Sequence, residues 1–311
     1  MPSACDPAWG SDTDSDMIAA RIDIEYIQMA TTNPKTIQIF LPDGNARSVR
    51  IAEVTSRTVQ AVQVPRSKLK VAEGRDEVQR VGVYFLIGEP EGETGKPLAY
   101  IGEAENCYNR ILQHYRKKDF WQTAVVITSK TMSFTKARAR YLEYDCIRRA
   151  GDAERYRLKN TVTPTEPHIP EPMLAELRDN FGTIKNLLSL LGFPILDPLT
   201  TTGKRRILHC EGRGGKATGQ YTEDGLVVFK GSVTSGDLAP SAKESVAKRR
   251  QRLVEDKVLK SVDGNGKLVF AEDHAFNSPS GAAVIVQRMS INGWTAWVDK
   301  EGRTLDELER K

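Results

Sequence analysis

Long apolar runs, paired cysteines and a large excess of one charge are all missing from this sequence of 311 residues. No apolar stretch approaches the roughly 18 residues that a membrane span needs, so we expect no membrane partner. The first residues carry neither a basic start nor an apolar core, so we expect no secretory signal. The four cysteines, at positions 5, 107, 146 and 210, are isolated from one another. This spacing suits neither a disulfide framework nor a zinc site and indicates the cytoplasm.

Charge is distributed unevenly along the chain, although the net charge is only +4. Residues 106–149 hold ten Lys or Arg against three acidic residues. A basic concentration of this kind attracts a phosphate backbone, but it is also typical of two ordinary solvated helix faces. The charge alone therefore leaves a nucleic-acid partner open.

Composition divides the chain into five segments. They are an acidic N-terminus over 1–33 that we expect to be disordered, a β-rich module over 34–79, a mixed domain over 80–162, a proline-rich linker with an amphipathic helix over 163–206, and a C-terminal accessory domain over 207–311. The β-rich module is interpreted as a nucleic-acid clamp or as scaffold. The mixture of strand and helix patterns predicts the α+β class.

The mixed domain shows the pattern strand, strand, helix, strand, helix. We predict strands over 81–87 and 98–101, joined by a long hydrophilic connection, and a third strand over 123–128. Asn106 and Thr135 are typical N-caps, which predicts helices from these residues to about Lys117 and Arg149, the second stopping at Gly151.

Two further helices are predicted outside this domain. Residues 173–191 have leucines, Phe181 and Ile184 at spacings of three and four, so the helix either packs within its own chain or pairs with a second copy in a dimer. In the C-terminal segment a charged helix over 241–259 lies between strand signals at 207–210, 226–230 and 268–270.

Glu143 is the residue whose pattern points most directly to chemistry. In the helix from Thr135 it shares a stripe with apolar residues at 139, 142, 146, 147 and 150, so its carboxylate lies on an inward-facing surface. A buried carboxylate needs a partner. A hard metal such as Mg²⁺ is one choice, and an ion pair with an arginine, Arg110 included, is the other.

Arg110, His114, Tyr84 and Tyr100 are the other candidates. Arg110 and His114 are four residues apart on one helix face, and a guanidinium suits phosphate because its planar fork donates two hydrogen bonds. Tyr84 and Tyr100 lie on neighbouring strands and can face one pocket. A tyrosine acts as a base only where a cation favours its phenolate; otherwise such residues are core aromatics.

The grouping Gly82-Val83-Tyr84, Tyr100-Ile101-Gly102, Arg110 and Glu143 resembles the GIY-YIG nuclease superfamily over residues 80–162. Valine replaces the middle isoleucine, and the connection between the motifs is longer than usual. The resemblance implies a small three-stranded antiparallel sheet flanked by helices. Residues 215–308 resemble an uncharacterised domain that often accompanies these nucleases and brings no known activity.

The resemblance also implies roles for the site residues. Glu143 holds a divalent metal, usually Mg²⁺ with Mn²⁺ as the alternative, and Arg110 stabilises the transferring phosphate. Tyr84 activates the water while Tyr100 positions the water or the phosphate. His114 and Asn160 match a histidine and a late asparagine seen in many members. The expected function is a metal-dependent endonuclease acting on DNA. The alternatives are a non-catalytic nucleic-acid-binding protein and an interaction scaffold with the same fold.

Overall fold

A computed structural model describes residues 34–90, 96–199, 206–236, 244–262 and 266–310. The N-terminal segment that we expect to be disordered, and residues 91–95 of the long connection, lie outside these ranges. The described residues form a mixed α+β structure with two main sheets, which confirms the predicted class. None of their helices is both long and apolar enough to cross a membrane.

The first sheet has seven strands in the order β1-β2-β3-β6-β4-β5-β7. Their bounds are β1 Ile37–Phe40, β2 Arg50–Val54, β3 Val59–Pro65, β4 Gly82–Gly88, β5 Leu98–Ala104, β6 Thr123–Ser129 and β7 Arg157–Leu158. All neighbours are antiparallel except β5 and β7, which are parallel. The sheet buries apolar side chains on both faces.

The three strands implied by the resemblance are adjacent, in the order β6-β4-β5, but they are the middle of a larger sheet. Strand β3 pairs with β6 along its whole length, from Val59 opposite Ser129 to Pro65 opposite Thr123. Residues 34–79 therefore add β1, β2 and β3 to the same sheet. In a three-stranded sheet β6 would be an edge strand with unpaired backbone groups. Here β3, which has an alternating apolar pattern, pairs with β6 and extends the sheet.

Two helices follow the hairpin pattern predicted from the sequence. They are helix α2, Cys107–Lys117, and helix α3, Lys136–Ala153. A short helix α1, Leu69–Ala72, precedes them in the chain. The side chains of Asn106 and Thr135 accept hydrogen bonds from backbone N–H groups three residues later, so both predicted N-caps are confirmed. Helix α3 continues past the predicted stop at Gly151 because Ala150 and Ala153 are buried against the sheet.

Helix α4, Glu171–Leu190, packs on the same face of the sheet as α3. Its apolar stripe, which includes Leu177, Phe181, Ile184 and Leu188, is buried in the core of this chain. The structure therefore favours packing within the chain over pairing with a second copy. The opposite face of the sheet is covered by α1 and α2 and contains Tyr84, Ile111 and Trp121.

The C-terminal unit has a separate core around Trp297. A four-stranded antiparallel sheet has the order β13-β10-β9-β8, and β11 pairs with β12. The elements are β8 Leu208–Gly212, β9 Gly215–Thr222, β10 Gly225–Val228, α5 Glu244–Glu255, β11 Leu259–Ser261, β12 Leu268–Phe270, β13 His274–Phe276, α6 Pro279–Gln287, α7 Gly293–Ala296 and α8 Leu305–Glu309. The three predicted strands are present, β12 with the predicted ends and β8 and β10 with shifted ends. The charged helix is present as α5, while residues 241–243 of its predicted range lie outside the described residues.

Candidate functional site

The register of the β4–β5 hairpin places Tyr84 and Tyr100 on one face of the sheet. Tyr84 lies directly opposite Gly102, and Tyr100 lies opposite Leu86. Positions two apart on a strand share a face, so the two tyrosines are diagonal neighbours. Their ring centroids are 6.3 Å apart. The expectation that both phenols face one location is confirmed.

Both glycines of the two tyrosine motifs are positions of close approach. A Cβ atom on Gly102 would lie 2.3 Å from the hydroxyl oxygen of Tyr84, and one on Gly82 would lie 2.3 Å from the carbonyl oxygen of Ile127. Real Cβ atoms do not approach other atoms so closely. The motif glycines are therefore required to make room for the Tyr84 ring and for the neighbouring strand β6.

His114 completes the aromatic group from helix α2. Its Nε2 atom is 2.9 Å from the hydroxyl oxygen of Tyr84, and its ring centroid is 5.1 Å from that of Tyr100. The side chain is only 7% exposed. Burial, followed by the charges of Lys118, Arg110 and Lys117, lowers the pKa of His114 to about 4. The imidazole is therefore neutral at pH 7, and its Nε2 atom shares a hydrogen bond with the Tyr84 hydroxyl.

Tyr84 is held as a neutral phenol. Burial and the neighbouring Tyr100 raise its pKa well above the usual value for tyrosine. Arg110 acts in the opposite direction, both as a hydrogen-bond donor to the phenol and as a charge, but burial outweighs it. The cation that a basic tyrosine requires is present, yet the phenol keeps its proton and shares a hydrogen bond with Nε2 of His114.

Arg110 connects the aromatic group to Glu143. Its side chain is exposed, and its Nη1 donates to Oε1 of Gln113 at 2.8 Å. Its charge also lowers the pKa of Tyr84, His114, Lys118 and Glu143. The guanidinium of Arg110 therefore affects the pKa of Tyr84 and His114 and also that of Glu143.

Glu143 lies half-buried on α3, beside the stripe of buried residues that the sequence predicts. Its carboxylate accepts a hydrogen bond from the backbone N–H of Glu103. Burial, and then the negative charge of Glu103, raise the pKa of Glu143, while Arg140 and Arg110 lower it. Within the described ranges Glu143 makes no ion pair, so the arginine partner considered from the sequence is not in direct contact.

Asn160 lies on the free edge of strand β5, next to Tyr100. Its Oδ1 accepts the backbone N–H of Ile101 at 3.0 Å, and its Nδ2 donates to the carbonyl of the same residue at 2.8 Å. The amide continues the pairing that β7 begins. Because both of its polar atoms bind the strand, Asn160 positions the hairpin and does not point into the site.

Glu103 and Lys118 belong to the site although the sequence reasoning missed them. The Nζ of Lys118 lies 3.6 Å from the ring centroid of Tyr100, and burial, then Arg110, lower its pKa. It was missed because Arg116, Lys117 and Lys118 form a basic run that is typical of a solvated helix end. Glu103 directly follows Tyr100-Ile101-Gly102, and strand alternation was the signal that could have placed it beside Glu143.

The acidic residues fit a hard divalent cation that keeps most of its water. Mg²⁺ is usually held by one or two carboxylates, with waters and substrate phosphate completing its shell. Glu143 and Glu103 provide two carboxylates. Burial, and then the charge of Glu103, raise the pKa of Glu143, and a bound cation would offset the second effect. Among the described residues no group of three or more acidic, histidine or cysteine side chains surrounds a common point.

Comparison with protein families matches residues 208–309 to a domain of unknown function, DUF4357. The match covers about one third of the chain, coincides with the C-terminal unit and excludes every residue of the candidate site. No curated protein and no solved structure matches the chain. The candidate site therefore depends on the sequence motifs and on its own geometry.

Proposed function

We propose that this protein is a Mg²⁺-dependent endonuclease that hydrolyses phosphodiester bonds in DNA in the cytoplasm. One observation supports this most: Tyr84, His114 and Glu143, from β4, α2 and α3, lie within the influence of the single guanidinium of Arg110. A proton path, two carboxylates and cations are the groups that phosphodiester hydrolysis needs. The half-buried Glu143, whose pKa burial and then Glu103 raise, fits a group that a bound cation would stabilise.

In the proposed reaction the oxygen of a water bonds to phosphorus while one P–O ester bond breaks, and the proton of the water passes to the Tyr84 oxygen. The released alkoxide takes a proton from solvent. Tyr84 in turn gives its own proton to Nε2 of His114 across the 2.9 Å hydrogen bond. The product of this transfer is an imidazolium, which burial and then the surrounding cations disfavour in the free protein. A bound phosphodiester carries the negative charge that offsets Arg110, Lys117 and Lys118, so substrate binding raises the proton affinity of His114.

Arg110 and Lys118 are assigned to the phosphate. Charge builds up on the non-bridging oxygens in the transition state, and a guanidinium donates to two of them. Lys118 lies on the Tyr100 ring, at 3.6 Å from its centroid, which fixes its ammonium next to the aromatic group. Tyr100 thereby positions a cation, a role added to the water-positioning role that the resemblance implies.

Glu143, with Glu103 beside it, is assigned to the divalent cation. When bound, Mg²⁺ supplies Lewis-acid stabilisation of the phosphoryl oxygens and of the leaving oxygen. The backbone N–H of Glu103 orients the Glu143 carboxylate toward the β5 edge. Asn160 keeps this edge straight through both of its hydrogen bonds to Ile101.

A cleavage panel tests the proposal. Purified protein is incubated with single-stranded, duplex and branched DNA and with RNA, in Mg²⁺, Mn²⁺ or chelator, and the product ends are analysed. We expect metal-dependent cutting of DNA that Glu143→Gln and Arg110→Gln each abolish. Arg116→Gln is the matched control, because Arg116 is exposed on the same helix. Undiminished cutting by both site variants would contradict the assignment.

A non-catalytic nucleic-acid-binding protein is the second candidate. The observation that favours it is the deep burial of Tyr84, which is 1% exposed and has a raised pKa. This candidate predicts salt-sensitive DNA binding that Glu143→Gln leaves unchanged, without metal-dependent products. Measuring binding and cutting on the same samples separates the two.

A further inference from the structure

A corner of the C-terminal unit gathers four cations from four chain segments. The turn between β8 and β9 carries Arg213, and helices α5 and α6 contribute Arg250 and, at the C-cap, Arg288. Lys267 follows the turn before β12. Ser235 links the turn that carries Arg213 to helix α6. Its hydroxyl donates to the carbonyl of Arg213 at 2.8 Å, and its backbone N–H donates to the carbonyl of Val286 at 2.7 Å.

Arg250 is the buried centre of this corner. It is 7% exposed, and its Nη1 donates to the carbonyl of Ser235 at 2.9 Å while its Nη2 donates to the carbonyl of Gly266. These acceptors are neutral, so they satisfy the hydrogen bonds of the guanidinium but do not neutralise its charge. A buried charge without a counter-charge is costly for the folded state.

Arg288 is a second charge that has no carboxylate partner among the described residues. Its Nη1 donates to the carbonyl of Gly236, next to the Ser235 acceptor of Arg250, and its buried Nε has no hydrogen-bond partner. Burial, followed by the charge of Arg288, lowers the pKa of Arg250 to about 10. Within the described ranges neither arginine forms an ion pair with a carboxylate. Two guanidiniums thus repel each other across one short loop.

The rim of the corner is also basic. The Nζ of Lys267 lies 3.9 Å from the position that a Cβ atom on Gly214 would take, and Arg213 is exposed on the same turn. Glu211, the nearest acid on β8, is paired with Lys216 at 3.1 Å. An anion bound at this rim would offset the repulsion between Arg250 and Arg288.

We propose that Arg250 and Arg288, with Lys267 and Arg213 at the rim, form a second phosphate-binding site that holds the backbone of a nucleic-acid strand. Guanidiniums recognise phosphate through parallel N–H donors, and a multivalent backbone reaches both the buried pair and the rim. The choice of nucleic acid over free phosphate rests on the proposed function, whereas the anion site does not. No contact of this site involves Tyr84, Arg110 or Glu143, so each site can fail alone.

The first experiment measures inorganic phosphate binding to the full chain by calorimetry, at low ionic strength. All samples carry Arg110→Gln so that the hairpin site contributes less. We expect Arg288→Gln to weaken phosphate binding about tenfold, since one charge-assisted hydrogen-bonding group is lost. Lys248→Gln is the control, because Lys248 is exposed on α5 and pairs with Glu244. Equal affinity of Arg288→Gln and the control would overturn the site.

The second experiment identifies the source of the phosphate. A short single-stranded oligonucleotide is titrated in chelator, with and without saturating inorganic phosphate. We expect Arg288→Gln to weaken oligonucleotide binding and to reduce its salt dependence, and Arg288→Lys to keep part of both. Phosphate binding without any effect of Arg288 on the oligonucleotide would overturn the nucleic-acid assignment. Near-ultraviolet circular dichroism confirms that each variant is folded.

A third measurement examines internal neutralisation. Asp237 and Asp263 lie outside the described residues and are acids close in sequence to Gly236 and Gly266. If either one balances the arginines, Asp237→Asn or Asp263→Asn will create phosphate binding that the unchanged protein lacks, and this result contradicts the proposal. Phosphate affinity that neither substitution alters supports it.

Discussion

Gly102 and Tyr84 are paired across the β4–β5 hairpin so closely that a Cβ atom on the glycine would lie 2.3 Å from the tyrosine hydroxyl. Gly102, which ends the motif Tyr100-Ile101-Gly102, therefore leaves the space that the side chain of Tyr84 occupies. Strand pairing alone does not require a glycine here, because the backbone angle of Gly102 is outside the left-handed region. The requirement comes from the side chain of Tyr84.

Gly102→Ala is expected to move the Tyr84 ring and to break its hydrogen bond with His114. Overpacking of a dense core typically costs about 1–3 kcal/mol, so the unfolding free energy should fall by that amount. Any cleavage activity should fall more steeply, because the proton path depends on the 2.9 Å contact. Chemical denaturation and cleavage rates measure the two effects.

Gly151→Ala is the matched control for this change. Gly151 lies within α3, and a Cβ atom there would meet nothing within 4 Å. Alanine is favoured over glycine in a helix by about 1 kcal/mol, so this variant should be slightly more stable and equally active. Equal effects of the two substitutions would contradict the role assigned to Gly102.

Tyr84→Phe separates the hydroxyl group from the ring. The ring stays in the core, but Nε2 of His114 is left buried without its partner, which costs about 1–3 kcal/mol of stability. Loss of the proton path should lower the cleavage rate by a factor of about 10²–10⁴. Tyr115→Phe, which changes an exposed tyrosine on the helix that carries His114, should leave both quantities unchanged. A Tyr84→Phe variant with full activity would remove Tyr84 from the reaction.

Local sequence signals predicted most of the first sheet and its helices. The caps at Asn106 and Thr135, the three hairpin-region strands and the apolar stripe around Glu143 all depend on interactions within a few residues, so they can be read from the sequence. The seven-stranded sheet could not be predicted in this way. It depends on β3 pairing with β6, which is 58 or more residues away for every pair in the register.

The contents of the site were predicted less completely than its scaffold. Nothing local indicates that Lys118 lies on the Tyr100 ring or that Asn160 binds the backbone of Ile101, because both contacts join distant segments.

Strand β9 of the C-terminal unit was not predicted, for another reason. Its sequence, GKATGQYT, has few apolar residues, and it is a strand because its small residues fit between β8 and β10 in the core.

Folding stability should fall as the pH drops from about 6.5 to 4. Burial is the main cause that lowers the pKa of both His114 and His274 to about 4. Between that value and the unfolded value of 6.5 the unfolded chain binds more protons, so acid favours unfolding. Each unit of difference corresponds to about 1.4 kcal/mol.

Denaturation curves at several pH values, for the unchanged protein and for His114→Gln and His274→Gln, check this origin. Each substitution should flatten the decline, and the double variant should flatten it further. His168 provides the comparison, because its side chain is not buried and His168→Gln should leave the slope unchanged. A decline that neither buried histidine affects would place its origin elsewhere.

Glu143→Gln should make the protein more stable near pH 7 while it removes the response to Mg²⁺. Because burial and Glu103 raise the pKa of Glu143, the folded state binds protons more strongly than the unfolded state, and the ionised carboxylate opposes folding at neutral pH. The neutral amide avoids this cost and still accepts the N–H of Glu103.

Mg²⁺ should raise the melting temperature of the unchanged protein only. Glu105→Gln, at an exposed residue paired with Lys136, should show neither effect. A higher melting temperature with Mg²⁺ in Glu143→Gln would assign the cation to other residues, and a lower stability of this variant would make Glu143 a structural residue.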